Sequence, residues 1–333
     1  MAETLLDIRD LSVAFRGEAG PREVLSKVSF TVQRGEILGI VGESGSGKSV
    51  TALAVMRLLG EQGAITGGSV RLDGVELVPL GEREMLEIRG RRIGMIFQEP
   101  MTSLNPLLTV GFQVAEVLRR HLRLSARAAR ERAVALLDRV GIPGAATRYD
   151  DYPHQLSGGM RQRVVIAMAI ACDPRLLIAD EPTTALDVTI QAQILDLIRE
   201  LRDNEGSVLL ITHDMGVIAR MADRVVVMYA GEVVESAPLR DLFTAPLHPY
   251  TRLLLAAVPT TRAKTDRLPV IPGTMPQPGA MPGGCRFHTR CPAVLPACRE
   301  RAPELEAISP TRMSRCLRTR EFLAGGNPKG DAA

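Results

Sequence analysis

The strongest constraint on this chain is a glycine-rich loop between a predicted strand and a predicted helix. Residues 36–41 form an apolar run typical of a buried strand, and a helical pattern covers residues 50–59. The loop between them, GESGSGKS, fits the pattern G-x-x-x-x-G-K-[ST] in the context that this pattern requires. In such a loop, backbone N–H groups and the helix N-terminus bind phosphates, Lys48 reaches the outer phosphates and Ser49 ligates Mg²⁺. The residues predicted to bind a nucleotide here are Gly42, Ser44, Gly45, Ser46, Gly47, Lys48, Ser49 and Val50.

Two further predicted strands end in side chains that suit phosphate chemistry. An apolar strand at residues 176–180 ends at Asp180 and is followed by Glu181. Asp180 is placed to hold the Mg²⁺ shell, and Glu181 to orient or deprotonate the attacking water. The strand at residues 208–212 is followed by His213, whose imidazole could sense or stabilise the γ-phosphate in the transition state. These side chains predict hydrolysis of the bound nucleotide.

A second glycine-rich helix start lies at residues 156–163, with the sequence LSGGMRQR. The helix that follows is predicted to run to about Cys172. A helix N-terminus with exposed N–H groups favours an anion. Because one nucleotide already has its loop at residues 42–49, this second anion site implies a second subunit.

With this element the sequence resembles the ATP-binding-cassette (ABC) ATPases, whose signature LSGGQ occurs here as LSGGM, and the resemblance covers residues 5–245. It implies an α/β fold: a P-loop NTPase core with a mixed sheet, an N-terminal antiparallel β subdomain and a helical subdomain inserted at about residues 99–165. It also implies a head-to-tail dimer in which the signature of one subunit contacts the ATP bound by the other. The signature residues expected to make this contact are Ser157, Gly158, Gly159 and Met160.

The same resemblance assigns roles to residues outside the two glycine-rich segments. Phe15 stands where an aromatic side chain stacks on adenine, and Gln98 matches the Q-loop glutamine, which contacts Mg²⁺ or water and faces the membrane subunits. Asp187 matches the D-loop aspartate that reaches across the dimer, and His213 matches the switch histidine. Met160 replaces the usual Gln, and we expect activity to be retained because backbone N–H groups and Ser157 carry most of the anion contact. The expected catalytic residues are Glu181, His213 and Gln98, and the expected Mg²⁺ ligands are Ser49, Gln98 and Asp180.

The composition of the chain changes near residue 245. Of the 22 prolines, 12 lie within residues 246–310, so regular elements must be short there. We therefore predict an ATPase domain at residues 1–245 and a separate Pro- and Cys-rich C-terminal extension at residues 246–333.

Four cysteines of the C-terminal extension, Cys285, Cys291, Cys298 and Cys316, have the spacing C-x5-C-x6-C-x17-C. In a reducing compartment, metal ligands or free thiols are favoured over disulfides. Zinc sites usually use close pairs such as C-x2-C, whereas an iron–sulfur cluster tolerates irregular spacing and often has a ligand followed by Pro, as at Cys291. Similar extensions in peptide importer ATPases are associated with 4Fe-4S clusters, and we favour such a cluster in a stapling role. Zinc and unliganded thiols are the alternatives.

Several stretches resemble the di- and oligopeptide importers in particular. They are residues 98–106, 156–163, 248–251, 284–287 and 290–292. The resemblance implies an ATP-binding and ATP-hydrolysing translocase subunit, peripheral at the cytoplasmic face of the inner membrane, that energises peptide uptake. The implied partners are a second ATPase subunit, two membrane permeases and an extracytoplasmic substrate-binding protein. An unlike pair of ATPases is favoured over a homodimer, and a nickel or other small-solute importer is the alternative.

Composition argues against other classes of protein. With 41 basic and 38 acidic residues the formal charge is +3, too small an excess to indicate a polyanion partner. The absence of Trp and the presence of only four Tyr disfavour stacking platforms for nucleic acid. An ABC ATPase that acts on nucleic acid is the less favoured alternative, because such proteins usually carry two cassettes or long coiled-coil insertions and this chain has one cassette with neither. The longest run without a polar, Gly or Pro residue has nine residues, at 164–172, and a bilayer crossing needs about 20. The first residues lack a basic and apolar leader, so we expect cytosolic residence.

Overall fold

The structure is a computed structural model that describes residues 3–18, 20–98, 103–183, 188–203, 206–258 and 270–326. Its strands are β1 (Thr4–Gly17), β2 (Gly20–Gln33), β3 (Ile37–Val41), β4 (Gly63–Leu72), β5 (Val75–Glu76), β6 (Ile93–Ile96), β7 (Leu176–Asp180), β8 (Ser207–Ile211), β9 (Arg224–Tyr229), β10 (Glu232–Pro238), β11 (Glu306–Ser309) and β12 (Arg312–Ser314). Its α-helices are α1 (Lys48–Met56), α2 (Glu82–Ile88), α3 (Val110–Leu122), α4 (Ala126–Arg139), α5 (Ala145–Arg148), α6 (Gly158–Ile170), α7 (Val188–Asp203), α8 (Met215–Met221), α9 (Leu239–Thr244), α10 (Pro249–Ala256), α11 (Ala297–Glu300) and α12 (Thr319–Leu323). Short 3₁₀ helices lie at Pro153–Gln155 and His288–Arg290.

The chain forms two compact units, each built from segments that are distant in sequence. Unit one comprises Met1–Leu5, Val32–Ile37 and Pro79–Ile211, and unit two comprises Leu6–Thr31, Leu38–Val78 and Thr212–Ala333. In the described part of the chain, no helix has the length and hydropathy that a bilayer crossing requires.

Unit one contains the parallel strands β6, β7 and β8, with β7 in the middle. Every residue of these strands is buried, which their unbroken apolar sequences predict for a sheet covered on both faces. Parallel strands end at one edge of a sheet. Gln98, which follows β6, and Asp180, which ends β7, therefore lie on segments that leave the sheet at its carboxyl edge.

Helices fill the described part of unit one between β6 and β7. Hydroxyl caps fix where three of them begin: Thr109 accepts from the Phe112 N–H before α3, Ser125 caps α4, and Ser157 caps α6. The buried face of α3 includes Val114 and Leu118, four residues apart, as in an amphipathic helix.

Unit two contains an antiparallel sheet in the order β2-β1-β4-β5. Strand β1 pairs with β4 from Leu6, opposite Leu72, to Phe15, opposite Gly63. Alternating apolar residues of β1, including Leu11 and Val13, are fully buried. This is the antiparallel N-terminal sheet that the sequence predicts.

The second sheet of unit two is mixed, and the phosphate loop follows its strand β3. Strand β3 pairs in parallel with β9, with Ile40 opposite Val226. Beyond β9 the order continues with β10, β12 and β11, all antiparallel. The predicted α/β class with a mixed sheet is confirmed. The hairpin β11–β12 belongs to the C-terminal extension, which thus adds strands to the same sheet that supports the loop, while the domain boundary near residue 245 stays a prediction.

The C-terminal extension has a small core of its own. Leu247, Ala293 and Phe322 are buried together, and Cys291 and Cys316 pack against them. The regular elements are short, as the prolines predict: α11 has four residues and β12 three. Such a small core provides limited stability by itself, so contacts with the rest of unit two contribute to holding this segment.

Candidate nucleotide site and cysteine cluster

The phosphate loop of unit two leaves β3 at Val41 and enters α1 at Lys48. Gly45 and Gly47 have φ angles of 81° and 101°, in a region that residues with a Cβ atom rarely adopt. At Gly42 a Cβ atom would lie 2.2 Å from the carbonyl oxygen of Met228. Glycine is therefore required here both for conformation and for close approach.

Helix α1 begins without a side-chain cap, because its N-cap residue is Gly47. The positive end of the helix dipole and the first N–H groups therefore meet the loop without a capping side chain. Ser46 is fully buried, and its hydroxyl oxygen has no hydrogen-bond partner among the residues that the structure describes. A buried, unpaired hydroxyl beside an uncapped helix start fits an anionic ligand such as a phosphate.

Lys48 is only 5% exposed, and its ammonium group is held by the loop. The Nζ atom donates to the carbonyl oxygens of Gly42 at 2.8 Å and of Glu43 at 3.0 Å. A lysine in this position can exchange carbonyl partners for phosphate oxygens when a nucleotide binds.

Glu43, the second residue of the loop, is held by residues of the C-terminal extension. Its N–H donates to the Tyr250 hydroxyl at 2.8 Å. Its carboxylate accepts from both terminal nitrogens of Arg290, at 2.7 and 3.0 Å. This bidentate pairing raises the pKa of Arg290.

The two other predicted site residues of unit two lie on its strands and loops. His213 is exposed and follows Thr212, whose N–H donates to the Ile40 carbonyl of β3 at 3.2 Å. Phe15, on β1, is half-buried, and its ring packs so closely over Gly63 that a Cβ atom there would lie 2.8 Å from the ring.

The predicted catalytic carboxylates lie in unit one. Asp180 ends β7 and is 3% exposed. Glu181 has a φ angle of 47°, and its N–H donates to the Ile211 carbonyl at 2.9 Å. A glutamate in this left-handed region carries about 1–3 kcal/mol of strain, and such strain concentrates at functional sites.

The signature segment begins α6, also in unit one. The Ser157 hydroxyl oxygen accepts from the Met160 N–H at 3.3 Å, so this helix start is capped by its own side chain. Ser157 and Gly158 are exposed. Further along the helix, buried Gln162 donates to the Pro182 carbonyl at 2.9 Å, which ties the signature helix to the segment that follows Glu181.

The remaining predicted residues can be placed only in part. Gln98 is exposed and directly follows Phe97, after the end of β6. The D-loop residue Asp187 lies outside the described residues. Gln98 and the carboxylates belong to unit one, whereas the phosphate loop, Phe15 and His213 belong to unit two.

The four cysteines of the C-terminal extension line one cavity. Cys285, Cys291, Cys298 and Cys316 share it with the side chain of buried His248. Burial raises the pKa of Cys285 and Cys291 to about 11 and that of Cys316 to about 12. Thiolates in such a cavity need a positively charged partner.

The cavity itself gives no support to a metal centre. Its volume is about 10 Å³, space for about one water molecule. Within the described ranges, no three His, Cys, Asp or Glu side chains are grouped so that they could hold a metal ion. The convergence of the cysteines fits the donor set of the predicted 4Fe-4S cluster, but neither the cavity volume nor the grouping of the described side chains supports a bound metal ion, zinc included.

Four residues that fix the phosphate loop and the signature helix in place were not predicted as site residues. They are Glu43, Gln162, Tyr250 and Arg290. Glu43 and Arg290 are 247 residues apart, and no local spacing connects them. The available signals were that Glu43 lies in the phosphate loop and that Gln162, Tyr250 and Arg290 fall within the stretches that resemble peptide importers.

Comparison with known proteins agrees with this geometry. Residues 25–184 match the ABC transporter family, and residues 234–298 match the oligopeptide/dipeptide transporter C-terminal region. The chain is 54% identical to a Sinorhizobium fredii protein named "Probable peptide ABC transporter ATP-binding protein", over 97% of both chains. It is 49% identical to the oligopeptide transport ATP-binding protein AppD of Bacillus subtilis, over 94% of this chain and 96% of AppD.

A solved structure shows the same fold. A dimeric ATP-binding cassette in a post-hydrolysis state, bound to ADP and Pi, is 30% identical, with a TM-score of 0.65 over 71% of this chain and 99% of that chain. The ABC ATP-binding proteins are ATPases that drive transport, and ATP and Mg²⁺ fit such a cassette. The chain therefore belongs to the ATP-binding proteins of the ABC transporters, with the C-terminal region of the oligopeptide/dipeptide transporters.

Proposed function

We propose that this chain is the ATP-hydrolysing subunit of a peptide importer, bound peripherally to membrane permeases at the cytoplasmic face of the inner membrane. One observation carries the proposal: relatives named as peptide transporter ATP-binding proteins match nearly the whole chain, including the C-terminal extension, at about half identity. The phosphate loop supports it with a buried, unpaired Ser46 hydroxyl and an uncapped helix start.

In the proposed reaction, water attacks the γ-phosphorus of ATP and the bond to the ADP oxygen breaks. Lys48 and the loop N–H groups stabilise the charge of the transferring phosphoryl group, and Ser49, Asp180 and Gln98 provide the Mg²⁺ ligands. Glu181 orients the water or takes its proton, and His213 contacts the γ-phosphate. These assignments are supported by the order of the motifs.

The proposed active form is a head-to-tail dimer of ATPase subunits. The exposed start of α6, with Ser157, Gly158, Gly159 and Met160, contacts the ATP of the mate, and Asp187 reaches across the same interface. The exposure of Ser157 and Gly158 supports a ligand that arrives from another subunit. The dimeric state of the solved cassette with 30% identity supports the same arrangement. An unlike mate remains the favoured partner.

Coupling to the membrane subunits is proposed for the helical part of unit one. A groove of about 460 Å³ lies there, lined by residues that include Asn105, Glu116 and His121. Leu107, close to this groove in sequence, is 82% exposed. A helix of a permease in this groove would receive the motion that ATP binding and hydrolysis produce in the cassettes, and a substrate-binding protein would deliver the peptide.

We also propose that the four cysteines hold an iron–sulfur cluster. The convergence of Cys285, Cys291, Cys298 and Cys316 on one cavity supports it, although side chains would have to move to admit a cluster. A cluster would close the loops of the small extension and stabilise its fold. Anaerobically purified protein should then absorb near 400 nm and contain iron and sulfide. The iron and sulfide contents should be lower in Cys316→Ser. A colourless chain with full ATP binding and no iron would eliminate the cluster.

The proposed function is tested by purification of the chain from native membranes. We expect permeases and a second ATPase to co-purify, and peptide uptake by reconstituted vesicles to require ATP. Lys48→Ala should abolish productive ATP binding, whereas Glu181→Gln should bind ATP and trap the closed dimer. Uptake of nickel or another small solute in place of peptides would assign the alternative substrate, and rapid turnover by Glu181→Gln would contradict the assigned mechanism.

A further inference from the structure

Glu43 is a phosphate-loop residue whose backbone N–H and side-chain carboxylate are both hydrogen-bonded to residues of the C-terminal extension. The Tyr250 hydroxyl accepts its N–H, and the Arg290 guanidinium binds both of its carboxylate oxygens. The third polar group, its carbonyl, accepts from Lys48. The position of this loop residue is therefore determined largely by residues more than 200 positions away in sequence.

Arg290 is built into the structure rather than lying on its surface. Its side chain is 3% exposed, and its Nε atom donates to the Pro272 carbonyl at 2.7 Å. A terminal nitrogen also lies 3.4 Å from the Tyr229 hydroxyl. The guanidinium orientation is thus fixed before it meets Glu43, and a preorganised bidentate pair is stronger than a solvated one. The exposed pair Arg71–Glu76, with side chains 52% and 28% exposed, contributes little by comparison.

Tyr250 is equally well fixed. Its ring is fully buried between Tyr229 and Phe287, with ring centroids 4.8 and 5.4 Å away. Phe287 belongs to the extension and lies three residues before Arg290. The two residues that hold Glu43 therefore come from one packed cluster of the extension and the end of β9.

We infer that Arg290 and Tyr250 are positioning residues of the nucleotide site, which they support through Glu43. They hold the loop in the conformation that directs its N–H groups at phosphate, and Arg290 also neutralises a carboxylate that would otherwise repel the phosphates of ATP. The inference rests on the proposed function, since it takes this loop as the ATP site. The C-terminal extension then contributes to ATP affinity without contacting the nucleotide.

A double-mutant cycle on the full-length chain tests this inference. The dissociation constant of a fluorescent ATP analogue is measured for Arg290→Gln, Glu43→Gln and the double variant. Arg290→Gln leaves an unpaired carboxylate beside the phosphates, and we expect about 10- to 100-fold weaker binding. The double variant carries no unpaired charge. Its fold-loss of ATP affinity should therefore be smaller than the product of the fold-losses of the two single variants.

Two further variants separate positioning from folding. Tyr250→Phe keeps the buried ring but leaves the Glu43 N–H without its acceptor, and binding should weaken by about three- to tenfold. Arg315→Gln removes another guanidinium of the same extension, one that is 13% exposed and donates to the carbonyls of Val233 and Pro303, and it should leave the ATP affinity unchanged. In the Arg290, Glu43 and Tyr250 variants that retain turnover, KM for ATP should rise while kcat is retained, because Glu43 does not contact the reacting atoms.

Specific results would overturn the inference. One is unchanged ATP affinity in folded Arg290→Gln and Tyr250→Phe. Another is a double variant whose loss of ATP affinity equals the product of the two single losses. A third is a loss of ATP affinity in Arg315→Gln as large as that in Arg290→Gln. The proposed function fails separately, if the wild-type chain does not bind ATP or Lys48→Ala binds it normally.

Discussion

The two glycine-rich helix starts of this chain differ in whether a side chain of the chain itself caps their first N–H groups. Helix α1 begins at Lys48, its N-cap residue Gly47 has no capping side chain, and the adjacent Ser46 hydroxyl is buried without a partner in the described residues. Helix α6 begins at Gly158, its N-cap residue Ser157 caps it with its own hydroxyl, and this start is exposed. The first start is incomplete without an anion, and the second is stable without one.

This difference explains how one chain can contain two phosphate-binding segments with different roles. The first is preorganised by strands β3 and β9, and by the C-terminal extension through Arg290. It can bind ATP within one subunit. The second has no need of a ligand of its own and is free to meet the ATP of a mate.

Gly42→Ala should have the largest effect. A Cβ atom at this position would lie 2.2 Å from the Met228 carbonyl oxygen, and backbone rather than a flexible side chain would have to move. We expect at least about 2 kcal/mol of lost unfolding free energy, together with loss of ATP binding. Urea unfolding monitored by circular dichroism gives the first quantity and nucleotide titration the second.

Gly158→Ala is the matched control in the other helix start. A Cβ atom there meets no atom within 4 Å, so the unfolding free energy should be unchanged or slightly higher, by up to about 1 kcal/mol. Equal destabilisation by Gly42→Ala and Gly158→Ala would show that the two helix starts do not differ in their tolerance of a side chain.

Gly158→Glu should separate ATP binding from ATP-dependent assembly. A carboxylate at the first position of α6 is compatible with the helix dipole but occupies the predicted site of the mate's phosphates. We expect ATP binding by the isolated chain to be normal and the dimer trapped by Glu181→Gln to be weakened about 100-fold, since like charges at an interface cost several kcal/mol. Sedimentation with ATP measures the dimer, and Gly158→Gln, similar in size but neutral, should be far less impaired.

Ser157→Ala should have a moderate effect. Loss of the cap on Met160 should lower the unfolding free energy by about 1 kcal/mol. Ser157→Asp restores a good cap but adds a negative charge, so it should recover stability without recovering the ATP-dependent dimer. Recovery of both would show that Ser157 serves only the helix.

The sequence was sufficient to predict the local parts of the site. Strand β7 was predicted with its observed bounds, because a short apolar run that ends in Asp180 has no competing pattern. The helix after the phosphate loop begins at Lys48, two residues before the predicted start, since Gly47 in the left-handed region is itself the N-cap. Helix α6 ends at Ile170, within two residues of the predicted end near Cys172.

The long-range parts of the site were not predictable in this way. The pair formed by Arg290 and Glu43 depends on how the extension packs in unit two, and composition described that segment only as Pro-rich and short in regular elements. The convergence of four cysteines agreed with their predicted grouping, but spacing alone did not reveal how little space lies between them.

Met160→Gln should have the smallest effect. The Met160 contribution visible in the structure is its backbone N–H, which donates to Ser157, and this remains in the variant. ATP turnover by the assembled transporter should change by no more than about twofold. A large gain would mean that the side chain at this position contacts the mate's nucleotide.

The most direct test of the account is ATP turnover per chain as a function of assembly, measured for the chain alone over a range of concentrations and again in the purified transporter complex. The account predicts little turnover by the dilute chain and a rise to a plateau as the mate becomes bound, with Gly158→Glu defective in that rise. Full, concentration-independent turnover by a strict monomer would contradict it.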